Sequence, residues 1–421
     1  MSTFVQYADE YLTIILVNEI YNQQTVHIIM ASNSGSIPQN YIIIGIIVVA
    51  VLVGGFYFMQ SNSGDCVVKL GHILPTSGPL AAYAGGFQAG VQAAVIEAND
   101  QGGIDGCTVQ LIEEDSATDP AASAAAAKKL IEVNGVHAIV GAYASSSTLA
   151  AAPIVEDSKT IMISPASTSP DVTNAGDFIF RTAPSDALQG VAMADLAWSQ
   201  GHRTAAVIFV NNQYGQGLSD VFQESFKANG GTITIAIAYE LEMATYRTEL
   251  SQIQATNPDI ILDVSYADDG QIIFREAAEL GMTAQWLGGD GIADDAIFGA
   301  PGIAEATEGM IGTRPASPES PGKAAFLDLL AANGLEEGIY SAEAYDAAKL
   351  ALMAIDEAGA DATKEAIRDA LISVANGYIG ASGDKTFDEN GDVGGTYSIW
   401  RIVNGAFVDI GNWDPSGISL S

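Results

Sequence analysis

Two short polar loops stand where apolar runs give way to helical stretches. After Ala138-Ile139-Val140-Gly141 comes Ala142-Tyr143-Ala144-Ser145-Ser146-Ser147-Thr148, which leads into an alanine-rich helical run. After Ile161-Met162-Ile163 comes Ser164-Pro165-Ala166-Ser167-Thr168-Ser169-Pro170. In open parallel sheets, ligands bind where strands end and helices begin, because unpaired helix N-terminal amides gather there and attract anions. Small residues let an anion approach those amides, and Ser145 adds a hydroxyl at the same place. Together the loops read as a cradle for a carboxylate. Either loop alone reads as ordinary helix capping by Ser and Thr.

Other chemistries find less support. Ser145 lacks the G-x-S-x-G elbow of a serine hydrolase, and none of His27, His72, His137 and His202 has the context of a catalytic base or metal-ligand spacing. Gly85-Gly86 and Gly288-Gly289-Asp290-Gly291 match neither a phosphate-binding loop nor a dinucleotide fingerprint. Asp388, Asn390 and Asp392 alternate like the start of a calcium loop, but Val393 stands where that loop requires Gly and Ile399 where it requires Glu. That segment reads as the turn of a final hairpin. No cofactor or metal is implied. Cys66 and Cys107 are too few for a disulfide-built miniprotein, lack zinc-site neighbours, and leave a single staple as an option.

The elements that must position the loops alternate. From Cys66 onward, β-rich runs at Val67 to Ile73, Thr108 to Ile112, Ala138 to Gly141, Ile161 to Ser164 and Phe178 to Arg181 are separated by helical stretches. The alternation restarts at Thr204 to Val210, Thr232 to Ile237, Ile260 to Val264 and Trp286 to Gly288, with helices around Leu218 to Ala228 and Ile272 to Leu280. Two α/β lobes, each a doubly wound parallel sheet, follow. Asp+Glu 51 against Lys+Arg 16 gives a formal net charge of -35, which disfavours nucleic acid as a partner and suits a surface kept hydrated in high salt.

Ahead of this region, Tyr41 to Phe58 is free of charge and as a helix would span about 27 Å, enough for a bilayer core. No Lys or Arg precedes Lys69, so the basic start of a secretory signal is missing. Residues 41–59 are expected to be a transmembrane anchor, with a cleaved signal as the alternative, and residues 1–40 an N-terminal tail.

Five ordered segments carry a family likeness. They are Ile73-Leu74-Pro75-Thr76-Ser77-Gly78-Pro79-Leu80-Ala81-Ala82-Tyr83, Gly102-Gly103-Ile104-Asp105-Gly106, Ala144 to Thr148, Gln213-Tyr214-Gly215-Gln216-Gly217 and Gly309-Met310. In order and spacing they resemble the branched-chain amino-acid binding proteins of ABC importers, from about Val67 to about Ile410. The resemblance implies the type I periplasmic-binding-protein fold. Lobe 1 is then expected at 66–183 plus 314–393 and lobe 2 at 184–313 plus 394–421, joined by three crossover strands. It further implies an extracytoplasmic, membrane-tethered solute-binding protein that catalyses nothing. Its ligand would be a neutral amino acid, branched-chain among the options, or a related small zwitterion. Its partners would be an ABC permease and ATPase.

Carried over by position, Ser145 and Thr168 would hold the ligand carboxylate, and the Ala166 carbonyl would accept from its ammonium. Tyr83 would cover the side chain, Tyr214 and Tyr266 would be aromatic walls, and Tyr340 lies near a further aromatic position. Asp290 falls where many relatives set a longer Glu against the ammonium. A buried charge left unpaired costs several kcal/mol, so a zwitterion needs donors at one end and an anion at the other. Some relatives have a disulfide whose aligned positions here are Thr118 and Ala144. This chain instead has Cys66 and Cys107 at the starts of its first two strands, neighbours in that fold. The alternatives are a sensory ectodomain, which shares the fold, and a hydrolase using Ser145.

Overall fold

The computed structural model of the protein describes residues 66–420. The expected tail and anchor at 1–40 and 41–59 lie outside the described residues. Among the described residues no helix is long and apolar enough to cross a membrane.

The chain enters through β1 (Val67–Leu74), α1 (Ala84–Asp100), β2 (Thr108–Asp115), α2 (Pro120–Lys129), β3 (Ala138–Val140), α3 (Ser145–Ser158), β4 (Met162–Ser164) and β5 (Ile179–Arg181). These strands form one parallel sheet in the order β2-β1-β3-β4-β5. The inner strands β3 and β4 are buried throughout and read as short, mainly apolar runs, whereas β2 on the edge mixes exposed and covered positions. Local signals set the helix starts: Pro120 opens α2, and the Asp119 carboxylate accepts from the Ala122 amide at 2.8 Å.

The second half runs through α4 (Asp186–Ser199), β6 (Thr204–Val210), α5 (Gln213–Ala228), β7 (Thr232–Tyr239), α6 (Arg247–Thr256), β8 (Ile260–Val264), α7 (Ala267–Glu279), β9 (Gln285–Gly288), α8 (Ile303–Ala306) and β10 (Ile311–Pro315). Then come α9 (Pro321–Asn333), α10 (Ser341–Ala358), α11 (Lys364–Ala375), the short pair β11 (Ile379–Gly380) and β12 (Gly383–Asp384), and β13 (Tyr397–Val403), β14 (Ala406–Asp414) and β15 (Gly417–Leu420). The second sheet has the order β15-β14-β13-β10-β9-β8-β6-β7. Its β10-β9-β8-β6-β7 portion is parallel, and β13 to β15 extend it antiparallel.

Helix α10 returns to the first sheet and packs along α1, where a Cβ on Gly90 would stand 2.1 Å from the Ser341 carbonyl oxygen. Only glycine fits that approach. On the same interface Tyr345 and Lys349 both donate to the Glu97 carboxylate, at 2.6 and 2.8 Å. The chain thus passes between the sheets three times, and the crossings are bonded to one another. Tyr397 Oη donates to the Ser185 carbonyl at 2.9 Å, and Gln189 Nε2 donates to the Thr313 carbonyl at 3.2 Å.

Two sequence expectations shift. The final hairpin turns at Asn404-Gly405 between β13 and β14, and 388–392 is a loop closed by one antiparallel bridge between Phe387 and Val393. Asp388 accepts from the amides of Asn390 and Asp392 within that loop, so its turn residues satisfy each other without forming a strand pair. Helix α5 begins at Gln213, earlier than Leu218, because Asn212 caps it by accepting from the Gly215 amide at 3.0 Å.

Cys66 and Cys107 are joined in a disulfide with Cα atoms 4.8 Å apart. The link closes a loop with a sequence separation of 41 residues, which the chain-entropy relation values at about 4 kcal/mol. Replacing both cysteines by serine should lower the unfolding free energy by about that amount, read as a lower urea midpoint with an intact far-ultraviolet spectrum. An unchanged midpoint would remove the disulfide from the forces holding this lobe.

Candidate functional site

The two polar loops are knitted together by their own hydroxyls. Ser164 Oγ donates to the Ala142 carbonyl at 2.6 Å, and Thr148 Oγ1 and Ser167 Oγ point to the same oxygen at 3.2 and 3.3 Å. Ser145 Oγ accepts from the Ser169 amide at 3.2 Å, tying the first turn of α3 to the second loop. Most of the serine run is therefore spent on shaping the backbone. The amides at the start of α3 remain the groups able to meet an anion.

Beneath the second loop lies Arg181, at the end of β5 and wholly buried. Its Nη1 donates to the carbonyls of Ser167, Thr168 and Ser169, at 3.2, 3.0 and 2.9 Å. Its Nε and Nη2 form a fork on the Asp392 carboxylate, both at 2.6 Å, and Nη2 also reaches Thr173 Oγ1. A planar fork suits a carboxylate in this way, and a lysine would not replace it. The loop that looked like a calcium site on paper supplies the counter-charge for this guanidinium.

Across the cleft, Asp290 follows β9 and is 3% exposed. Tyr214 Oη, in the first turn of α5, donates to its Oδ1 at 2.9 Å, and Tyr340 Oη donates to its Oδ2 at 2.5 Å. Tyr214 also accepts from the Gly291 amide at 3.1 Å and stacks on Tyr266, with ring centroids 5.6 Å apart. Tyr266 Oη accepts from Asn212 Nδ2 at 3.1 Å. From the first lobe, Tyr83 Oη donates to the Gly291 carbonyl at 2.8 Å and accepts from the Ala267 amide at 3.0 Å. That single hydroxyl latches the lobes together.

These groups line a tight cavity of about 30 Å³ walled by Tyr83, Ser145, Ala166, Tyr214, Tyr266, Asp290 and Tyr340, with Leu80, Phe87, Tyr143, Ala144, Gly291 and Ile339 completing its wall. Of the residues singled out in the sequence, Thr168 alone stands behind the wall, fully buried, with its Oγ1 lacking any hydrogen-bond partner among the described residues. Cavity geometry adds residues that the sequence reading passed over. Tyr143 stacks on Phe87 at 4.1 Å, and its Oη lies 2.7 Å from Nε2 of the buried His72, whose Nδ1 is 3.1 Å from Glu113. Burial lowers the His72 pKa, outweighing the opposing bond and charge of Glu113. Glu113, held below the usual carboxylate range first by its His72 bond, accepts a hydrogen bond from Nδ1–H, so Nε2 accepts from the Tyr143 hydroxyl.

Set beside known proteins, the sequence matches the profile of the periplasmic binding proteins over residues 67–406. The chain belongs to that family. It is a family of solute-binding proteins, not of enzymes. A Pseudomonas aeruginosa relative, the leucine-, isoleucine-, valine-, threonine-, and alanine-binding protein, is 29% identical over 350 residues, covering 82% of this chain and 91% of that protein. Among solved structures, the leucine binding protein LivK of Thermotoga maritima superposes with a TM-score of 0.77 at 31% identity, covering 83% of this chain and 99% of that one. LivJ of Streptococcus pneumoniae, solved in complex with isoleucine, gives 0.75 at 25% identity over 84% of this chain and 100% of the other.

Among the buried carboxylates of this periplasmic binding protein, Asp290 is on the cavity wall and Asp186 outside it. Burial pushes the Asp290 carboxyl up, against the opposing bonds from Tyr340 and Tyr214. Asp186, the first residue of α4 and fully buried, is pushed well up by burial and then by the Asp290 charge, with Thr168 and Arg181 pulling the other way. The sequence held a faint signal for it: Arg181 and Asp186 are the charged residues of an otherwise uncharged stretch from Phe178 to Gly190. Below the Tyr266 loop, burial pushes Asp263 up to about 7 despite a 2.6 Å bond from Ser265 Oγ, and its Oδ1 has no partner among the described residues.

Two outcomes follow from these buried charges. Asp392→Ala leaves the Arg181 guanidinium unpaired and should cost about 3–5 kcal/mol in urea unfolding. A loss below 1 kcal/mol would show that the fork does not hold the loop. Asp263 binds its proton in the folded chain up to about 7 but releases it near the ordinary value of 3.8 when unfolded. Its contribution to stability therefore falls as pH rises through that window and is flat above it. Asp263→Asn should gain stability relative to wild type as pH rises from about 4 to 7. A constant difference across that range would exclude the assignment.

Proposed function

We propose that this chain is the extracytoplasmic binding component of an ABC importer and that it captures an amino acid with an apolar side chain by closing its lobes. One observation carries the ligand reading: every tyrosine hydroxyl around the cavity is engaged elsewhere. Tyr83 is spent on Gly291 and Ala267, Tyr143 on His72, Tyr214 and Tyr340 on Asp290, and Tyr266 on Asn212. The side-chain space thus meets mainly ring faces, Leu80 and Ile339, and among the described residues the Tyr266 O–H is the one tyrosine donor of the wall without an acceptor. The amide end of α3 with Ser145 then faces the ligand carboxylate, Thr168 supports it, and the Ala166 carbonyl and Asp290 take the ammonium. Relatives whose names specify leucine, isoleucine and valine support the same class.

In this reading the closing bodies are 66–183 with 314–393 and 184–313 with 394–421. Residues 41–59 tether them to the outer face of the membrane beside the permease and its ATPase. Each lobe contributes to holding the ligand's two charges, so ligand favours the closed form.

Calorimetric titration with a panel of amino acids should give a dissociation constant for aliphatic members and none for charged ones, with Asp290→Ala abolishing the heat. Silence across the panel would end the ligand assignment. Tyr83→Phe removes two bonds across the cleft, about 1–2 kcal/mol together, and should weaken binding five- to thirtyfold, mainly through faster dissociation in stopped flow. An unchanged dissociation rate would mean that the latch does not hold the closed form.

A further inference from the structure

Tyr143 lines the cavity, yet its hydroxyl lies 2.7 Å from Nε2 of His72, a wholly buried residue of β1 that is not part of the cavity wall. Strand pairing fixes what stands behind His72. In the parallel register of β1 and β2 it is partnered by Glu113, and its Nδ1 lies 3.1 Å from the Glu113 carboxylate. Gln88 Nε2, from α1, donates to both oxygens of that carboxylate, at 3.1 and 2.9 Å, and holds it in place. The Tyr143 ring is held as well, stacked on Phe87 with centroids 4.1 Å apart and an interplanar angle of 14°.

Donor and acceptor roles along this chain are set from its outer end. An ionised carboxylate can only accept, so Nδ1 carries the imidazole proton, Nε2 is left as an acceptor, and Tyr143 donates to it. Burial favours the neutral imidazole, and the bond from His72 favours the ionised Glu113. Tyr83, Tyr214 and Tyr340 spend their protons on Gly291 and Asp290, which line the same cavity. Tyr143 spends its proton outside the wall. A buried phenol without a partner is costly, so a Tyr143 hydroxyl deprived of His72 would have to seek its acceptor among the groups held in the cavity.

We propose that His72 is a positioning residue for side-chain selectivity: by accepting the Tyr143 hydroxyl it leaves ring carbon facing the ligand at that wall, and so favours aliphatic side chains over hydroxylated ones of the same shape. The proposal rests on the amino-acid reading above. Valine and threonine are the matched pair for it, since they share a branched outline and differ by a methyl against a hydroxyl.

Calorimetric titration of the full chain with L-valine and L-threonine gives the selectivity as a ratio of dissociation constants. His72→Leu removes the acceptor and should lower the preference for valine about five- to tenfold, the worth of one hydrogen bond to a ligand hydroxyl. His72→Gln, whose amide offers an acceptor to Tyr143 and a donor to Glu113, should restore the wild-type ratio. Removing the hydroxyl as well, by combining His72→Leu with Tyr143→Phe, should also restore it, which a general loosening of the fold would not do. A ratio unchanged in His72→Leu, or one that stays low in the double variant, overturns the proposal. Nitrogen-15 histidine spectra of the ligand-free wild type near neutral pH, with the His72 signals assigned by their loss in His72→Gln, should show the Nδ1–H tautomer. The Nε2–H tautomer would make Tyr143 the acceptor and overturn the proposal whatever binds. If neither amino acid binds, the ligand reading fails separately, and the tautomer alone decides whether the Tyr143 hydroxyl is drawn out of the cavity. It decides in the same way should His72→Leu not fold.

Discussion

A guanidinium shut away from water must find fixed partners for all its donors, and in this protein that requirement organises the cavity-facing loops of the first sheet. Arg181 ends β5, so the sheet sets its position. Its donors then dictate where the Ser167 to Ser169 carbonyls lie, which in turn places Ala166 on the cavity wall and Thr168 behind it. Its need for a counter-charge draws in Asp392, and with it the chain just before the third crossing. One buried cation thereby couples the sheet, a cavity loop and the loop that leads into the third crossing. The Ser145 loop is attached to the same frame through the Ser169 amide.

The second lobe is built on a different economy. Its acid sits among aromatic rings, and the hydroxyls of those rings serve the protein's own polar groups. Tyr214 answers both Asp290 and the Gly291 amide, and Tyr83 answers two main-chain groups of the opposite lobe. Phenolic oxygens are costly to bury without partners, so satisfying them internally leaves the ring faces as the wall. An apolar surface is thus made from residues that are not apolar by type.

Much of the fold was legible because parallel strands covered on both faces must be continuous apolar runs, and those from Val67 to Arg181 stand out against alanine-rich helices. The antiparallel end of the second sheet was not, because turn residues announce a turn without saying which strands it joins. Asp388 to Asp392 have every mark of a hairpin, yet Asp392 is held by a residue 211 positions away. The site divides in the same way. Tyr83, Ser145, Ala166, Tyr214, Tyr266, Asp290 and Tyr340 surround one cavity; the loops of Ser145 and Ala166 were marked by their place between strand and helix, and the others only by likeness to a family, since none has a local spacing that marks it. Asp186, Arg181 and the Tyr143–His72–Glu113 chain escaped notice because their meaning lies in partners distant along the chain. Ser164, Ser167 and Thr148 looked like ligand donors or caps and proved to converge on the Ala142 carbonyl.

The disulfide lies at the first described residue, where everything upstream is attached. Strand β1 is held on one side by β2 and on the other by β3. A pull arriving along the chain from residue 65 would otherwise peel β1 out one hydrogen bond at a time. With Cys66 bonded to Cys107, the load enters at the head of β2 as well, and the two parallel strands must be sheared together. A load applied at Cys66 would therefore be shared by two strands instead of being borne by β1 alone.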